Sequence, residues 1–173
     1  YKNLRYDIPQ SGSFQAQNAI LAIEAINKIL PRLSTVKIQK GLDGWFWPGR
    51  MQLMRENIFY DVAHNSSGIK ILSEDLKNIY NKKPFGLVVI KNDKIRTEIL
   101  DLFKNSFEGL VISTISSKDI LGKNDIRKVK ELNKFKFIAN LPQALEYLEH
   151  KKFEGPKVVF GSHYIAKLSL IHI

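Results

Sequence analysis

The sequence predicts an α/β fold with a doubly wound, mainly parallel sheet that opens with an antiparallel hairpin. From residue 45 onward, short runs rich in Val, Ile and Phe alternate with amphipathic stretches, as in sheets covered on both faces. Two apolar runs, Met51–Met54 and Ile58–Tyr60, are separated by only a short polar stretch, which suits strand, turn and strand. Helical spacing of apolar residues before residue 45 predicts a separate helical part.

The first part, residues 1–43, is predicted to be helical after a polar, irregular start. A helix that follows Gly12–Gln15 carries a wide apolar face and is ended by Pro31. A second short helix begins near Ser34, a good N-cap residue, and stops at Gly41. The stretch Gly41–Gly44 is predicted to be the hinge into the second part, residues 44–173.

In the second part, strands and helices alternate. Apolar runs bounded by polar or turn residues predict the strands Gly86–Ile90, Leu110–Ile115, Phe135–Ala139 and Val158–Phe160. Amphipathic stretches predict the helices Ile69–Tyr80, Ile95–Phe103, Asp125–Leu132, Leu141–Leu148 and His163–Ile171, while Leu168–Ile173 fits a final helix or a strand. Ligands gather at the carboxyl ends of strands in such sheets. Polar residues at these ends predict a site there: Asp61, Asn92-Asp93, Thr114 and Gly161-Ser162.

Composition excludes several classes of protein. The 173 residues are 44% hydrophobic and 25% charged, which is ordinary for a globular domain. No apolar run approaches the roughly 18–20 residues of a membrane span, and no signal-peptide pattern opens the chain. Zero cysteines exclude disulfides and thiolate metal sites and fit a cytoplasmic protein. The net charge of +10 comes from scattered lysines without aromatic interleaving, so we do not expect a nucleic-acid site.

Two motifs flank the predicted hairpin. Trp47-Pro48-Gly49-Arg50 precedes it, and Asp61-Val62-Ala63-His64-Asn65 begins eleven positions after Arg50. A guanidinium therefore lies at one outer end, with a carboxylate and an imidazole at the other. Such a group suits a triphosphate, because Arg donates to phosphate oxygens in a planar fork and Asp accepts from a ribose hydroxyl. An ordinary surface ion pair is the alternative interpretation.

Together with Gly12-Ser13-Phe14-Gln15-Ala16-Gln17-Asn18-Ala19 and Gly161-Ser162-His163-Tyr164, these motifs occur in the order and spacing of one family. The chain resembles the C-terminal portion of folylpolyglutamate synthase/dihydrofolate synthase, in the muramyl-ligase superfamily. The resemblance covers essentially the whole chain and implies a Rossmann-like C-terminal domain after the end of a central ATP-binding domain. Phe14 stands where the family usually has His, and Val62 where Gly is commonest.

The resemblance implies a role for each matching residue. Asn18 matches the asparagine that recognises adenine, Arg50 the arginine that reaches the phosphates, and Asp61 the aspartate that contacts the nucleotide. His64 matches the histidine near the place where ATP and the incoming glutamate meet. Ser162 matches a residue that helps to hold glutamate, whereas the role of His163 is left open.

The implied reaction is an ATP-dependent ligation. ATP phosphorylates a carboxylate of the folate or pteroate substrate, and the amine of L-glutamate attacks the acyl phosphate. Arg50 and His64 are the implied catalytic residues, and Asn18, Arg50 and Asp61 bind ATP. No G-x-x-x-x-G-K-[ST] phosphate loop occurs in the chain. The phosphate loop, the Mg²⁺ ligands and the pterin site are expected upstream of Tyr1. We therefore expect a fragment of a monomeric enzyme that is inactive alone and holds no metal.

Alternatives accompany each assignment. Asn18 also fits an ordinary polar position in the first turns of a helix. His64 fits a helix cap or a packing residue, and Ser162 fits a helix N-cap. The aromatic residues Trp45, Phe46 and Trp47 fit packing at the domain junction better than a base-stacking platform. At the level of function, a muramyl-peptide ligase and a non-catalytic α/β binding module stay open.

Overall fold

The computed structural model describes residues 4–166. The helices in that range are α1 (Ser13–Ile29), α2 (Thr35–Asp43), α3 (Ser66–Tyr80), α4 (Thr97–Asn105), α5 (Lys123–Lys128) and α6 (Leu141–His150). The strands are β1 (Gln52–Arg55), β2 (Ile58–Asp61), β3 (Phe85–Val88), β4 (Gly109–Ser113), β5 (Lys136–Ile138) and β6 (Lys157–Phe160). Short 3-10 turns lie at Asn92–Lys94, Leu132–Lys134 and His163–Ile165. Within residues 4–166, no helix is both long and apolar enough to cross a membrane.

The strands form one sheet in the order β1-β2-β6-β3-β4-β5. β1 and β2 pair antiparallel, and the other neighbouring strands pair parallel. The predicted fold class is confirmed: a mainly parallel α/β sheet that opens with an antiparallel hairpin.

Helices cover both faces of the sheet, and the order of the strands explains which face each helix takes. From β2 to β5 the chain moves toward one edge, and α3, α4 and α5 pack on one face through Leu72, Phe103 and Ile126. After β5 the chain turns back to place β6 between β2 and β3, and α6 packs on the other face through Leu145 and Leu148. Right-handed crossovers require this change of face when the direction of strand addition reverses.

Two predicted helix ends are wrong. α2 does not stop at Gly41 but continues to Asp43, so the predicted hinge Gly41–Gly44 is mostly helix. Its last turn is held by a hydrogen bond of 2.6 Å from Gln39 Nε2 to Asp43 Oδ1, and Gly44 occupies the C-cap. The helix predicted over Asp125–Leu132 ends at Lys128, because Val129 takes extended backbone (φ −111°, ψ 102°).

The predictions for the C-terminal end can be compared only in part. The predicted helix His163–Ile171 begins as a 3-10 turn over His163–Ile165. Its remainder beyond Ala166, and the predicted element Leu168–Ile173, lie outside the described residues.

Candidate functional site

A polar pocket of about 340 Å³ lies at the carboxyl end of β2, between α1 and α3. Asn18 reaches it from α1, Arg50 from the loop before β1, and Asp61 and His64 from the end of β2. Four of the five predicted site residues thus line one pocket. Ser162, the fifth, is not among its lining residues.

The loop that carries Arg50 is held against the end of β2. Gly49 has a positive φ of 71°, and a Cβ there would lie 2.8 Å from Val62 Cγ1, so only glycine fits. The carbonyl of Gly49 accepts from Val62 N at 2.9 Å, and its N–H donates to Gln52 Oε1 at 3.0 Å. The Trp-Pro-Gly-Arg motif therefore builds a fixed turn, from which the Arg50 side chain projects at the surface.

Gln10 is a second anchor of this loop. Its Nε2 donates to the carbonyls of Trp47 (2.6 Å) and Arg50 (2.9 Å), and its Oε1 accepts from Trp47 N (2.9 Å). The side chain is 6% exposed, so these hydrogen bonds are shielded from water. Sequence reasoning missed Gln10, because a single glutamine in an irregular segment carries no signal of its long-range partners.

Asp61 connects the loop to β2 through its carboxylate. Oδ2 accepts from Met51 N at 2.8 Å, and Oδ1 accepts from Ala63 N at 2.7 Å. Burial raises the pKa of the Asp61 carboxyl above its ordinary value, while these two N–H groups and Arg50 act in the opposite direction. Each oxygen retains a lone pair, so Asp61 combines a structural role with room for a further donor.

His64 is oriented by a backbone carbonyl. Its Nδ1 lies 2.9 Å from Val62 O, and because a carbonyl only accepts, Nδ1 carries the hydrogen. The neutral ring then has its lone pair on Nε2. His64 does not cap α3, because Asn65 does so: its Oδ1 accepts from Gly68 N at 2.8 Å. The His64 ring lies 6.3 Å from the ring of His163.

Ser162 lies at the carboxyl end of β6. Its Oγ accepts from Tyr164 N at 3.2 Å and so caps the 3-10 turn that follows, as in the N-cap alternative. Its carbonyl accepts from Tyr60 Oη at 3.3 Å. The geometry gives Ser162 a structural role beside the polar pocket.

An apolar cavity of about 570 Å³ adjoins the polar pocket. It lies between α1, α2 and the aromatic segment, where Trp45 and Trp47 line it, although Trp47 is 59% exposed. Three residues line both spaces: Gln15, Asn18 and Arg50. The two spaces therefore form one continuous concave surface with a polar and an apolar end.

The donor set of the polar pocket does not fit a metal ion. Within residues 4–166, no group of three or more His, Asp or Glu side chains is arranged to hold one. We therefore assign no chemistry here to a metal held by this chain.

Comparisons with known proteins point to one group of enzymes, although no family model matches the chain. Dihydrofolate synthase/folylpolyglutamate synthase of Bacillus subtilis (strain 168) is 24% identical over 172 residues, covering 95% of this chain and 40% of that protein. A shorter likeness, 35% identity over 89 residues, covers 47% of the chain and 17% of UDP-N-acetylmuramoyl-L-alanyl-D-glutamate–2,6-diaminopimelate ligase of Rickettsia bellii (strain RML369-C).

Solved structures agree with the first of these relatives. Folylpolyglutamate synthase of Thermotoga maritima superimposes with a TM-score of 0.69 at 28% identity, covering 95% of this chain and 38% of that one. A bifunctional folylpolyglutamate synthase/dihydrofolate synthase with Mn, AMPPNP and L-glutamate bound superimposes with a TM-score of 0.77 at 20% identity, covering 97% and 41%.

The chain thus spans about two-fifths of the length of these relatives. Its neighbours in sequence and in structure are folylpolyglutamate synthase/dihydrofolate synthases, and over essentially its whole length it corresponds to their C-terminal part.

Proposed function

We propose that the chain closes the ATP site of a carboxylate–amine ligase that joins L-glutamate to dihydropteroate or tetrahydrofolate. The observation that carries this proposal is the meeting of Asn18, Arg50, Asp61 and His64 in one pocket, although they come from separate motifs. The ligands of the similar bifunctional enzyme, AMPPNP, Mn and L-glutamate, support the same substrate classes.

The shape of the site supports a nucleotide. The apolar cavity accepts a flat base, and the polar pocket accepts ribose and phosphates. Arg50 is exposed beside both spaces, so its planar fork is free to close on phosphate oxygens. Asp61 offers its remaining lone pairs to a ribose hydroxyl.

The reaction that we assign to the intact enzyme has two steps. A substrate carboxylate oxygen attacks the γ-phosphorus of ATP, the bond to the leaving ADP oxygen breaks, and an acyl phosphate forms. The amine of glutamate then attacks the acyl carbon and phosphate leaves, giving the amide. Arg50 stabilises the charge on the transferring phosphoryl group, and His64 Nε2 accepts the proton that the amine releases.

The remaining parts of the enzyme are proposed to lie outside this chain. We propose that residues 1–43 end a central ATP-binding domain and that residues 44–173 form the C-terminal domain. The phosphate loop, the Mg²⁺ ligands and the folate-binding residues would then belong to the part of the relatives that this chain does not span. On this view the chain alone catalyses no ligation.

The test is ATP-dependent joining of labelled glutamate to dihydropteroate or to tetrahydrofolate. The chain is expressed with all of the coding sequence that precedes it, and in parallel as the 173 residues alone. We expect product from the longer protein only. The absence of product with both acceptors would refute the assignment as a folate ligase. Glutamate-dependent ATP hydrolysis by the 173 residues alone would refute the proposal that part of the ATP site lies outside this chain.

A second candidate is a muramyl-peptide ligase, which the shorter likeness to the Rickettsia bellii enzyme favours. It would use the same Asn18, Arg50 and Asp61 for ATP but a different acceptor. Adding a UDP-muramyl peptide with diaminopimelate to the same assay separates the two candidates by the product formed. A protein that binds ATP and forms neither product would instead fit the non-catalytic module.

A further inference from the structure

The buried amide of Gln15, which the proposed reaction does not use, points to a role in base recognition. Gln15 lies in the first turn of α1 and is only 3% exposed. Its Oε1 accepts a hydrogen bond of 3.1 Å from Asn18 Nδ2. Its Nε2 is buried and has no hydrogen-bond partner among the described residues. A buried polar atom without a partner destabilises a fold, so its presence needs an explanation.

The position of the amide pair suggests that explanation. Gln15 and Asn18 line both the polar pocket and the apolar cavity, so they lie where the two spaces join. The walls of the apolar cavity include Ala22, Ile23 and Trp45, which suit one flat ring. A base in that cavity presents its polar edge to Asn18, while its sugar and phosphates continue toward Arg50.

The hydrogen bond between the two amides fixes which end of Asn18 faces the base. An asparagine amide has nearly the same shape in either orientation, so an unrestrained one reads a base poorly. Because Gln15 Oε1 only accepts, it holds Asn18 Nδ2 toward itself. Asn18 then presents Oδ1, an acceptor, at its other end. A 6-aminopurine donates to an acceptor, whereas the oxygen of a 6-oxopurine is repelled by it.

We propose that Gln15 is a positioning residue that locks the Asn18 amide and so makes the site select a 6-aminopurine nucleotide over a 6-oxopurine nucleotide. The inference rests on the proposed function, in which Asn18 contacts the base of ATP. The need for a hydrogen-bond acceptor beside Asn18 also explains why this position holds a glutamine despite its unpartnered Nε2. An apolar side chain would fill the same space without that defect, but it would leave Asn18 free to turn.

Replacement of Gln15 by methionine tests whether Gln15 positions Asn18 or only fills space in the core. Gln15→Met keeps the length of the side chain and removes both the acceptor for Asn18 and the unpartnered Nε2. We expect the Tm of the unliganded variant to equal or exceed that of the wild type. A purely structural glutamine would give the opposite result, a lower Tm with an unchanged base preference.

The experiment compares ATP with inosine triphosphate, which differs from it at the C6 substituent of the base. Wild type, Gln15→Met and the matched control Gln17→Met, an exposed position on the same helix, are expressed with all of the preceding coding sequence. Dissociation constants are measured directly, and KM and kcat are measured in the ligation assay. Wild type and Gln17→Met should bind ATP about 10-fold more tightly than inosine triphosphate, because the hydrogen bond from the 6-amino group to Asn18 Oδ1 is replaced by repulsion between two oxygens.

Gln15→Met should bring the two dissociation constants within about 3-fold of each other and raise KM for ATP more than it lowers kcat. If wild type binds neither nucleotide, the proposed function is wrong and this inference falls with it. If wild type prefers ATP and Gln15→Met keeps that preference, or if wild type never discriminates, the role of Gln15 alone is refuted. Gln15→Leu carries the same expectation should the methionine variant fail to fold.

Discussion

Arg50 combines a free side chain with a fixed backbone. Its carbonyl accepts from Gln10, and the next N–H, that of Met51, donates to Asp61. The guanidinium itself is exposed. Such a residue positions a cation without using it in the fold, so its removal should affect ligand binding far more than stability.

We therefore expect Arg50→Ala to lower kcat/KM for ATP by about 10- to 100-fold in the protein expressed with its preceding coding sequence, the equivalent of one charge-assisted hydrogen bond. The Tm of the unliganded variant should be unchanged. Arg127→Ala, at an exposed position on α5, is the matched control and should leave both quantities unaltered. A large fall in Tm for Arg50→Ala would contradict the view that the guanidinium serves ligand binding and not the stability of the fold.

Tyr60 gives a prediction for alkaline pH. Burial, together with the charge of Asp61, raises the pKa of Tyr60 from 10.0 to about 12. Because the folded state holds this proton more tightly than the unfolded state, the associated stability is present below pH 10 and is lost as pH rises toward 12. The tyrosinate also cannot donate to Ser162 O.

Tyr60→Phe should therefore lose less stability than wild type between pH 10 and 12, as measured by urea denaturation across this range. Tyr164→Phe, at a side chain that is 55% exposed, should follow the wild-type curve. Parallel curves for Tyr60→Phe and wild type would show that the pKa of this hydroxyl does not differ between the folded and unfolded states, and would contradict the prediction.

At the scale of elements, Gly161 joins the end of β6 to the 3-10 turn at a position that has no room for a side chain. Its φ is +116°, and a Cβ there would collide with the carbonyl oxygen of Val89. We expect Gly161→Ala to destabilise the protein by about 2 kcal/mol or more, since both the backbone angle and the neighbouring strand oppose it. Thermal denaturation measures this effect.

Gly44→Ala is the control for that substitution. Gly44 has a φ of −90°, and a Cβ there meets nothing within 4 Å. Its replacement should be neutral or should stabilise the protein by about 0.4–1 kcal/mol through the unfolded state. Equal losses at the two glycines would mean that the close approach of β6 and β3 is not maintained.

Sequence patterns predicted the elements wherever one periodicity dominates. The strands with near-continuous apolar runs lie near their predicted places, because a strand that is buried on both faces is apolar throughout. The long helices α1 and α3 do so as well, because a helix that is buried on one side has apolar residues at helical spacing. The stretch after β4 misled the prediction. Ile126, Val129 and Leu132 are three residues apart, a spacing that suits one helix and also two shorter turns.

In the site, too, the sequence predicted residues that belong to local motifs and missed residues whose environment depends on the fold. Asn18, Arg50, Asp61 and His64 stood out because they belong to motifs, each readable from neighbouring residues. Gln10 acts through partners 37–40 residues away that only the fold supplies. Gln15 contacts Asn18 on the same helix, but its burial, which sets it apart, depends on the fold. No local pattern distinguishes such glutamines from solvent-exposed ones, as the exposed Gln17 in the same motif illustrates.

At the scale of the whole molecule, α1 and the residue that follows it present large apolar side chains to solvent. Leu21 is 67% exposed, Ile29 75% and Leu30 54%. Large apolar side chains that are exposed in this way favour association. This surface agrees with our proposal that residues 1–43 belong to a domain that continues beyond the chain.

We expect the 173 residues alone to self-associate as concentration rises, and Leu21→Gln with Ile29→Lys to reduce that association. Analytical ultracentrifugation over a range of concentrations measures it. Since both side chains are exposed, the free energy of unfolding should change by no more than about 0.5 kcal/mol per substitution. A wild-type chain that stays monomeric at every concentration would contradict the prediction.

The three hydrogen bonds of Gln10 also have a consequence for hydrogen exchange. The loop from Trp47 to Met51 precedes β1, yet the amide of Trp47 donates to Gln10 and that of Met51 donates to buried Asp61. Both amide protons should exchange slowly for loop positions: that of Trp47 only when the 47–51 segment separates from Gln10, and that of Met51 only when this segment separates from Asp61. Their exchange rates would thus report the opening of this segment separately from the unfolding of the sheet.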